Sequence, residues 1–206
     1  MPPRTQNRKS SPVRRREIAA AALRLIGEEG APALTAARIA REVGVTAGAL
    51  FRHFESVEAI LVAAVELAVE DVEASFPDED LPPLERLRAL LLARIDLIRR
   101  RPGLAWLLLS EQVFLSVPGP ALASLRALVS RSQKFVRRAL SEGVAQGELR
   151  DDLGIDVMQA LFTGVVHSMA NRRGVHARPR GKPTPRSPKP ERVLDTLVEL
   201  LGSQDD

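Results

Sequence analysis

The sequence predicts an all-α protein of about nine helices, and three observations lead to this fold class. Apolar residues recur at spacings of three and four along most of the 206 residues, as in helices that bury one face. Thr, Ser, Gly and Pro stand between these segments, where they end one helix and cap the next. No segment offers a strand candidate. The predicted helices are residues 14–29, 35–42, 46–52, 56–75, 83–101, 103–116, 121–147, 153–171 and 191–201.

Residues 34–54 contain the second and third of these helices, joined by a tight glycine turn. Thr35 is predicted to cap the first of the pair, because its hydroxyl can accept a hydrogen bond from a free amide of the first turn. Gly44 follows the last apolar residue, where a helix ends because glycine enters the left-handed region cheaply. Thr46 can cap the next helix. The pattern predicts a helix-turn-helix, whose second helix can enter a major groove; a helical hairpin within a core is the alternative.

The second helix of this pair is predicted to have a buried side and an exposed side. Leu50, Phe51 and Phe54 are expected to form its apolar face. The residues expected to face outward are Thr46, Ala47, Gly48, Arg52 and His53. Arg52 is the best candidate for reading a base, because its planar fork fits the two major-groove acceptors of guanine; a phosphate contact is an equal alternative.

Three helices and a long fourth, in this order and spacing, resemble the N-terminal domain of the TetR (tetracycline-repressor-like) family of bacterial transcription regulators. The matching residues are Ile18, Ala22, Gly30, Thr35, Ile39, Ala40, Gly44, Val45, Gly48, Leu50, His53, Phe54 and Leu61. The resemblance covers residues 14–65 and implies a double-stranded DNA operator as partner. The residues expected at the DNA are Thr35, Arg38, Thr46, Ala47, Gly48, Ala49, Phe51, Arg52 and His53.

Three positions depart from the family pattern. Phe51 stands where the family usually has Tyr, Ala49 where it often has Thr, and Val57 where it usually has Lys. Each change removes an expected contact to the DNA backbone. Binding of the phosphates therefore needs another source of positive charge.

The net charge of +4 is unevenly distributed along the chain. Residues 1–16 carry six basic and no acidic residues, residues 172–192 carry eight basic and one acidic, and the remainder has a net charge of −9. Residues 1–13 are predicted to be a disordered basic arm that lies along phosphates, with a solubilising tail as the alternative. Residues 172–190 are predicted to be a flexible basic loop.

The predicted domains are the helix-turn-helix domain at 14–55 and a helical domain at 56–206, whose segment 56–76 links the two. Ser56 is expected to cap the linking helix, and Asp151 and Asp152 to cap the helix at 153–171.

The resemblance implies that the second domain binds a ligand and forms a homodimer. The helices at 153–171 and 191–201 carry apolar stripes beyond the need of a small core, and Ala160 and Gly164 permit close packing. We therefore expect these two helices to pair with their copies, the alternative being burial within one monomer.

A small, fairly hydrophobic effector is expected from the resemblance. Its binding is expected to shift the population of the protein away from the DNA-binding state. The candidate pocket residues are Arg94, Trp106, Glu111, Phe114, Phe135, Phe162 and His167. Ordinary core packing is the alternative for each of them.

Composition argues against an enzyme and against a cofactor. The chain has no cysteine, and its histidines, His53, His167 and His176, lack metal-ligand spacing. There is no nucleophile elbow and no membrane-spanning apolar run, so we expect a cytoplasmic protein without a membrane partner.

The sequence thus predicts a dimeric repressor of the TetR type, released from a palindromic operator by a small molecule. The alternative is an architectural, sequence-tolerant DNA-binding protein that relies on its basic arms and has no small-molecule inducer.

Overall fold

The computed structural model describes residues 11–110, 112–170 and 189–202, and within them the protein is all-α. The described residues form ten α-helices and one short 3₁₀ helix at Ala31–Ala33. The α-helices are α1 (Ser11–Glu29), α2 (Ala36–Val43), α3 (Ala47–Leu50), α4 (Val57–Glu73), α5 (Pro83–Arg100), α6 (Pro102–Leu109), α7 (Val113–Ser116), α8 (Gly119–Ala145), α9 (Ile155–Ala170) and α10 (Pro190–Leu201).

The helices form two compact units. The first unit extends to Glu70 and also takes in Arg101–Ser124, and the second contains Asp71–Arg100 and the chain from Leu125 onward. Packing therefore groups α6 and α7 with the helix-turn-helix, whereas the predicted domains divide the chain at residues 55 and 56. That boundary describes function and stays a prediction.

The first unit is built around α1. Ile18, Ala22 and Leu25 are buried on this helix, and α6 packs closely against it. Gly103 marks the closest approach, since a Cβ built there would lie 1.9 Å from the carbonyl oxygen of Leu23. Only glycine lets the two backbones come together in this way.

The second unit has a core made by four helices. Leu91 of α5, Leu140 of α8, Met158 of α9 and Leu194 of α10 are buried in one apolar cluster. This cluster supplies most of the stabilisation of the unit, because burying each such side chain contributes about 1.5–3 kcal/mol.

The structure corrects the predicted helix at 103–116, which is two helices, α6 and α7. Ser110 is extended, with φ −96° and ψ 130°, and its Oγ accepts a hydrogen bond from the backbone N–H of Gln112 at 3.3 Å. A serine that bonds to nearby backbone in this way competes with the helix, and its hydroxyl is the physical reason for the break.

Two further predictions about helix ends were wrong. The first helix begins at Ser11, so residues 11–13 of the predicted disordered arm are helical; residues 1–10 lie outside the described part of the chain. Asp151 and Asp152 precede α9 by too far to cap it, and Asp152 instead accepts hydrogen bonds from Arg150. Residues 172–188, which are most of the predicted basic loop, also lie outside the described residues.

Candidate nucleic-acid interface

Local hydrogen bonds fix both ends of α2. The Oγ1 of Thr35 accepts from the backbone N–H of Arg38 at 3.3 Å, which confirms the predicted cap. Gly44 is left-handed, with φ 70° and ψ 36°, and the following N–H of Val45 donates to the carbonyl of Ala40 at 2.9 Å. This arrangement satisfies the last carbonyls of the helix and turns the chain sharply toward α3.

The short helix α3 is held by one cap and two buried residues. The Oγ1 of Thr46 accepts from the backbone N–H of Ala49 at 3.1 Å. Leu50 is fully buried and Phe54 is only 3% exposed. Together they fix the rotation of α3 and therefore choose which side chains face solvent.

The exposed side of α3 and of the turn after it carries most of the predicted DNA-contacting residues. Those that are exposed are Thr46, Ala47, Gly48, Phe51 and Arg52, together with Thr35 at the start of α2. Ala49, His53 and Arg38 are half-buried.

Phe51 does not belong to the apolar face where the sequence pattern placed it. It is 46% exposed, whereas its neighbour Leu50 is buried. One residue along a helix turns the side chain by about 100°, so the two cannot point into the same core. Phe51 therefore lies on the outward surface, as its assignment to the DNA-contacting set requires.

Arg38 and Arg52, two of the three arginines of the helix-turn-helix, are in different electrostatic states. Arg38 donates to the carboxylate of Glu29 and is half-buried. Arg52 is exposed and forms no ion pair with any described residue. Arg52 is therefore free to bind a base or a phosphate.

The start of α1 contacts the end of the helix-turn-helix. This contact was not predicted from the sequence. Arg15 donates to the backbone carbonyl of His53, and its guanidinium lies 4.1 Å from the ring centre of Phe54. The Oγ of Ser11 lies 3.5 Å from Nδ1 of His53. The run of three arginines at 14–16 was a visible signal, but it gave no hint of which arginine contacts residues 53 and 54.

Two of the predicted effector residues each line a cavity. Trp106 lines a cavity of about 670 Å³ in the first unit, and Phe135 lines one of about 340 Å³ in the second. Trp106 is in the first unit because α6 packs on α1. The effector pocket itself stays a prediction. Glu111 and the side chain of Phe114 lie outside what the structure describes.

The remaining members of that set have structural surroundings of their own. Arg94 is 6% exposed and donates to the carbonyl of Val72 and to Ser75 Oγ, both at 2.6 Å. Burial lowers the pKa of Arg94 to about 10, so it keeps its charge at neutral pH. Phe162 is in the core of the second unit. The ring of His167 is partly covered, and this burial lowers its pKa.

The described residues offer neither a membrane-spanning helix nor a metal site. No helix among them is long and apolar enough to cross a membrane. Nor does the described part of the chain bring three or more His, Asp or Glu side chains together in a way that could hold a metal ion.

A capped helix-turn-helix with an exposed, unpaired arginine, set within an all-α chain, defines a DNA-binding regulator. Comparison with known proteins supports this class of protein. Residues 18–67 match the model of bacterial regulatory proteins of the tetR family, and residues 80–171 match a tetracyclin repressor-like C-terminal domain.

Two relatives show the range of the similarity. The HTH-type transcriptional regulator BetI of Rhizobium meliloti is 30% identical over 161 residues, which cover 73% of this chain and 79% of BetI. The nucleoid occlusion factor SlmA of Vibrio cholerae is 26% identical over 163 residues, covering 77% of this chain and 83% of SlmA. The chain belongs to the TetR family and is a DNA-binding transcriptional regulator.

Solved structures have the same fold. KstR2 of Mycobacterium tuberculosis, a ketosteroid transcriptional regulator, aligns with a TM-score of 0.73 at 22% identity over 93% of this chain and 96% of that one. AibR in complex with isovaleryl coenzyme A and operator DNA aligns with a TM-score of 0.70 at 24% identity over 92% and 98%. Regulators of this family bind operator DNA and small ligands and form dimers.

Proposed function

We propose that this protein is a cytoplasmic homodimeric repressor that binds a palindromic operator and is released from it by a small molecule. The observation that carries the proposal is the exposed side of α3 and of the turn after it, where Thr46, Gly48 and Arg52 are exposed and Arg52 has no ion-pair partner among the described residues. These residues are held in place by the buried Leu50 and Phe54. A rigid helix that presents a donor of this kind suits the major groove.

An apolar surface on the second unit supports the homodimer. Val157 and Leu161 of α9 are 52% and 45% exposed, and Leu200 of α10 is 57% exposed. Gly164 of α9 has open space where a Cβ would be, so a second helix can approach its backbone. Pairing α9 and α10 with their copies would cover this surface and give the dimer the second α3 helix that a two-fold operator requires, since its half-sites are about 34–36 Å apart.

A population shift is the proposed means of release. AibR was solved with both an acyl-coenzyme A and operator DNA, which supports the idea that a protein with this fold binds ligand and DNA. A ligand that prefers the DNA-free state weakens operator binding by its differential affinity for the two states.

Selection of bound sequences from a random DNA pool, at near-physiological salt, tests the proposal. An enriched inverted repeat is expected, because a two-fold dimer reads two half-sites. The control is Arg52→Ala, which should bind the pool with little enrichment. DNA binding without any enriched sequence would contradict the proposal.

A second candidate function is favoured by one specific observation. The SlmA relative is named a nucleoid occlusion factor, a function that differs from the control of one promoter. An architectural DNA-binding protein would use its basic arms and bind many sequences. Such a protein would show little preference among sequences at any salt concentration, whereas a repressor keeps its preference as salt rises.

A further inference from the structure

The cavity beside Trp106 lies entirely within the first unit, next to the helix-turn-helix. Its volume is about 670 Å³, which is within the range of small-molecule sites, roughly 300–1,000 Å³. Ile26 of α1, Leu34 before α2, Leu61 of α4 and Trp106 of α6 give it an apolar wall. The candidate effector residues of the second unit, Phe135 and Phe162 among them, are not in the lining of this cavity.

Among the described residues that line the cavity, Glu58 is the one with a charged side chain. Glu58, in the first turn of α4, is an exposed lining residue and forms no ion pair or hydrogen bond with any described residue. None of the described lining residues is Lys, Arg or His. Gln112 and Ser116 add uncharged polar groups. A ligand that enters here therefore meets a carboxylate that has no cation of its own.

An aromatic face lies in the same cavity as the carboxylate. Trp106 is half-buried, and the indole ring is the aromatic group that attracts cations most strongly. At the cavity Leu115 is 91% exposed, which leaves apolar surface for the body of a ligand to cover. A carboxylate and an indole, with an apolar wall between α1, α4 and α6, suit a molecule that is apolar at one end and positively charged at the other.

We propose that this cavity is a binding site for a small apolar cation, an amine or quaternary ammonium compound with a hydrophobic body. The cation pairs with Glu58 and lies against Trp106, and the hydrophobic body covers Leu34, Leu61 and Leu115. Anions of the same shape are rejected by the unpaired carboxylate.

The site adjoins both ends of the DNA-reading segment. Leu34 comes directly before Thr35, the cap of α2, and Val57 and Glu58 begin the helix that follows α3. A bound cation therefore touches the chain on both sides of the helix-turn-helix. We expect it to change the affinity for DNA, and DNA to change the affinity for the cation by the same factor.

The test uses the full chain and three compounds with one hydrophobic body, phenylbutylamine, phenylbutanol and phenylbutyrate. Trp106 is the chain's single tryptophan and there is no tyrosine, so the emission spectrum reports this cavity. The amine should shift the Trp106 emission and bind about tenfold more tightly than the alcohol, and the acid should bind most weakly. Equal affinities for the three, or no shift of the emission, would overturn the proposal.

Glu58→Gln tests the role of the carboxylate, and Glu66→Gln is its matched control, because Glu66 is an exposed acid of the same helix outside the cavity lining. Glu58→Gln should abolish the preference for the amine over the alcohol, and Glu66→Gln should keep it. If both variants keep the preference, Glu58 is not the cation's partner and the proposal fails.

The link to DNA is tested by repeating the amine titration in the presence of a selected DNA site. This second expectation rests on the proposed function, whereas the binding of the amine does not. An amine affinity that is unchanged by bound DNA would remove the regulatory role and leave the binding site in place. Failure to select any DNA site would count against the proposed function alone.

Discussion

At the scale of single residues, Arg38 and Arg52 of the helix-turn-helix differ in whether a carboxylate already pairs with them. Arg38 pairs with Glu29, so a DNA contact by Arg38 has to compete with an existing carboxylate. Arg52 is exposed and has no such competitor among the described residues. The specific contact is therefore expected from Arg52.

We expect Arg52→Ala to weaken binding to the selected operator by about 1–3 kcal/mol while weakening binding to random DNA much less, because alanine cannot donate to a base. Fluorescence anisotropy with both DNAs measures the two changes in affinity. Arg99→Ala is the control, since it removes an exposed arginine from the second unit. An equal weakening on both DNAs would assign Arg52 to a phosphate.

Gly48 is expected to let DNA come close to the backbone, and the packing of the protein does not require a glycine there. A Cβ at this position meets nothing within 4 Å. Gly48→Ala should therefore leave stability unchanged or raise it by up to about 1 kcal/mol, because alanine is the better helix former. It should nevertheless weaken operator binding, since the methyl group faces the DNA. Thermal unfolding and anisotropy separate the two effects, and unchanged operator affinity would mean that the backbone does not come close to the DNA here.

At the scale of the elements, the packing of α6 on α1 is the contact that depends most on a single residue. Gly103 permits it, because any Cβ there would collide with the backbone of Leu23. Backbone atoms cannot move aside as a flexible side chain can, so the two helices would have to separate. The position of α6 also decides where Trp106 lies and hence whether the cavity beside α4 exists.

Gly103→Ala should destabilise the protein by about 1–3 kcal/mol, the usual cost of overpacking. Chemical denaturation measures it. Gly119→Ala is the matched control, because Gly119 is also in the first turn of a helix but has open space around it. The control should change stability by no more than about 0.5 kcal/mol. Equal stabilities of the two variants would show that α1 and α6 can separate at little cost.

At the scale of the whole molecule, two features decide how the protein meets DNA: its oligomeric state and the distribution of its charge. The exposed apolar residues on α9 and α10 bear on the first feature, and the basic segments at the two arms bear on the second. A single four-residue recognition helix reads few bases, so specific binding needs a second copy.

Leu161→Glu should convert the dimer to a monomer, because the dimer would bury two unpaired carboxylates; we expect the dimer dissociation constant to rise at least about a hundredfold. Light scattering coupled to gel filtration measures the mass. Val129→Glu is the control, since Val129 is 39% exposed on α8 of the same unit. A Leu161→Glu protein that remains dimeric would place the interface elsewhere.

Deleting residues 1–10 should lower DNA affinity and reduce the slope of log affinity against log salt. The segment contains Arg4, Arg8 and Lys9, and the slope falls by about 0.9 for each phosphate that these side chains no longer neutralise. The deletion ends before Ser11 because α1 begins there. Titrations at several salt concentrations give the slope, and an unchanged value would mean that the arm does not touch DNA.

The helix-turn-helix could be predicted from the sequence alone, because the contacts that define it are local. Thr35 and Thr46 each cap an amide three residues further on, and Gly44 needs only its own backbone freedom to end α2. Such contacts can be predicted from residues that are close together in the sequence. The same is true of the all-α class, since apolar spacing is a local pattern.

The surroundings of side chains whose partners are far along the chain became known only from the packing of the helices. Arg15 contacts His53, 38 residues away, and Trp106 lies in a cavity with residues of α1 and α4. No local pattern specifies such pairs, because they depend on how helices pack and on where a backbone, as at Gly103, can come close. For this reason the helix-turn-helix followed largely from the sequence, whereas the surroundings of Arg15 and Trp106 did not.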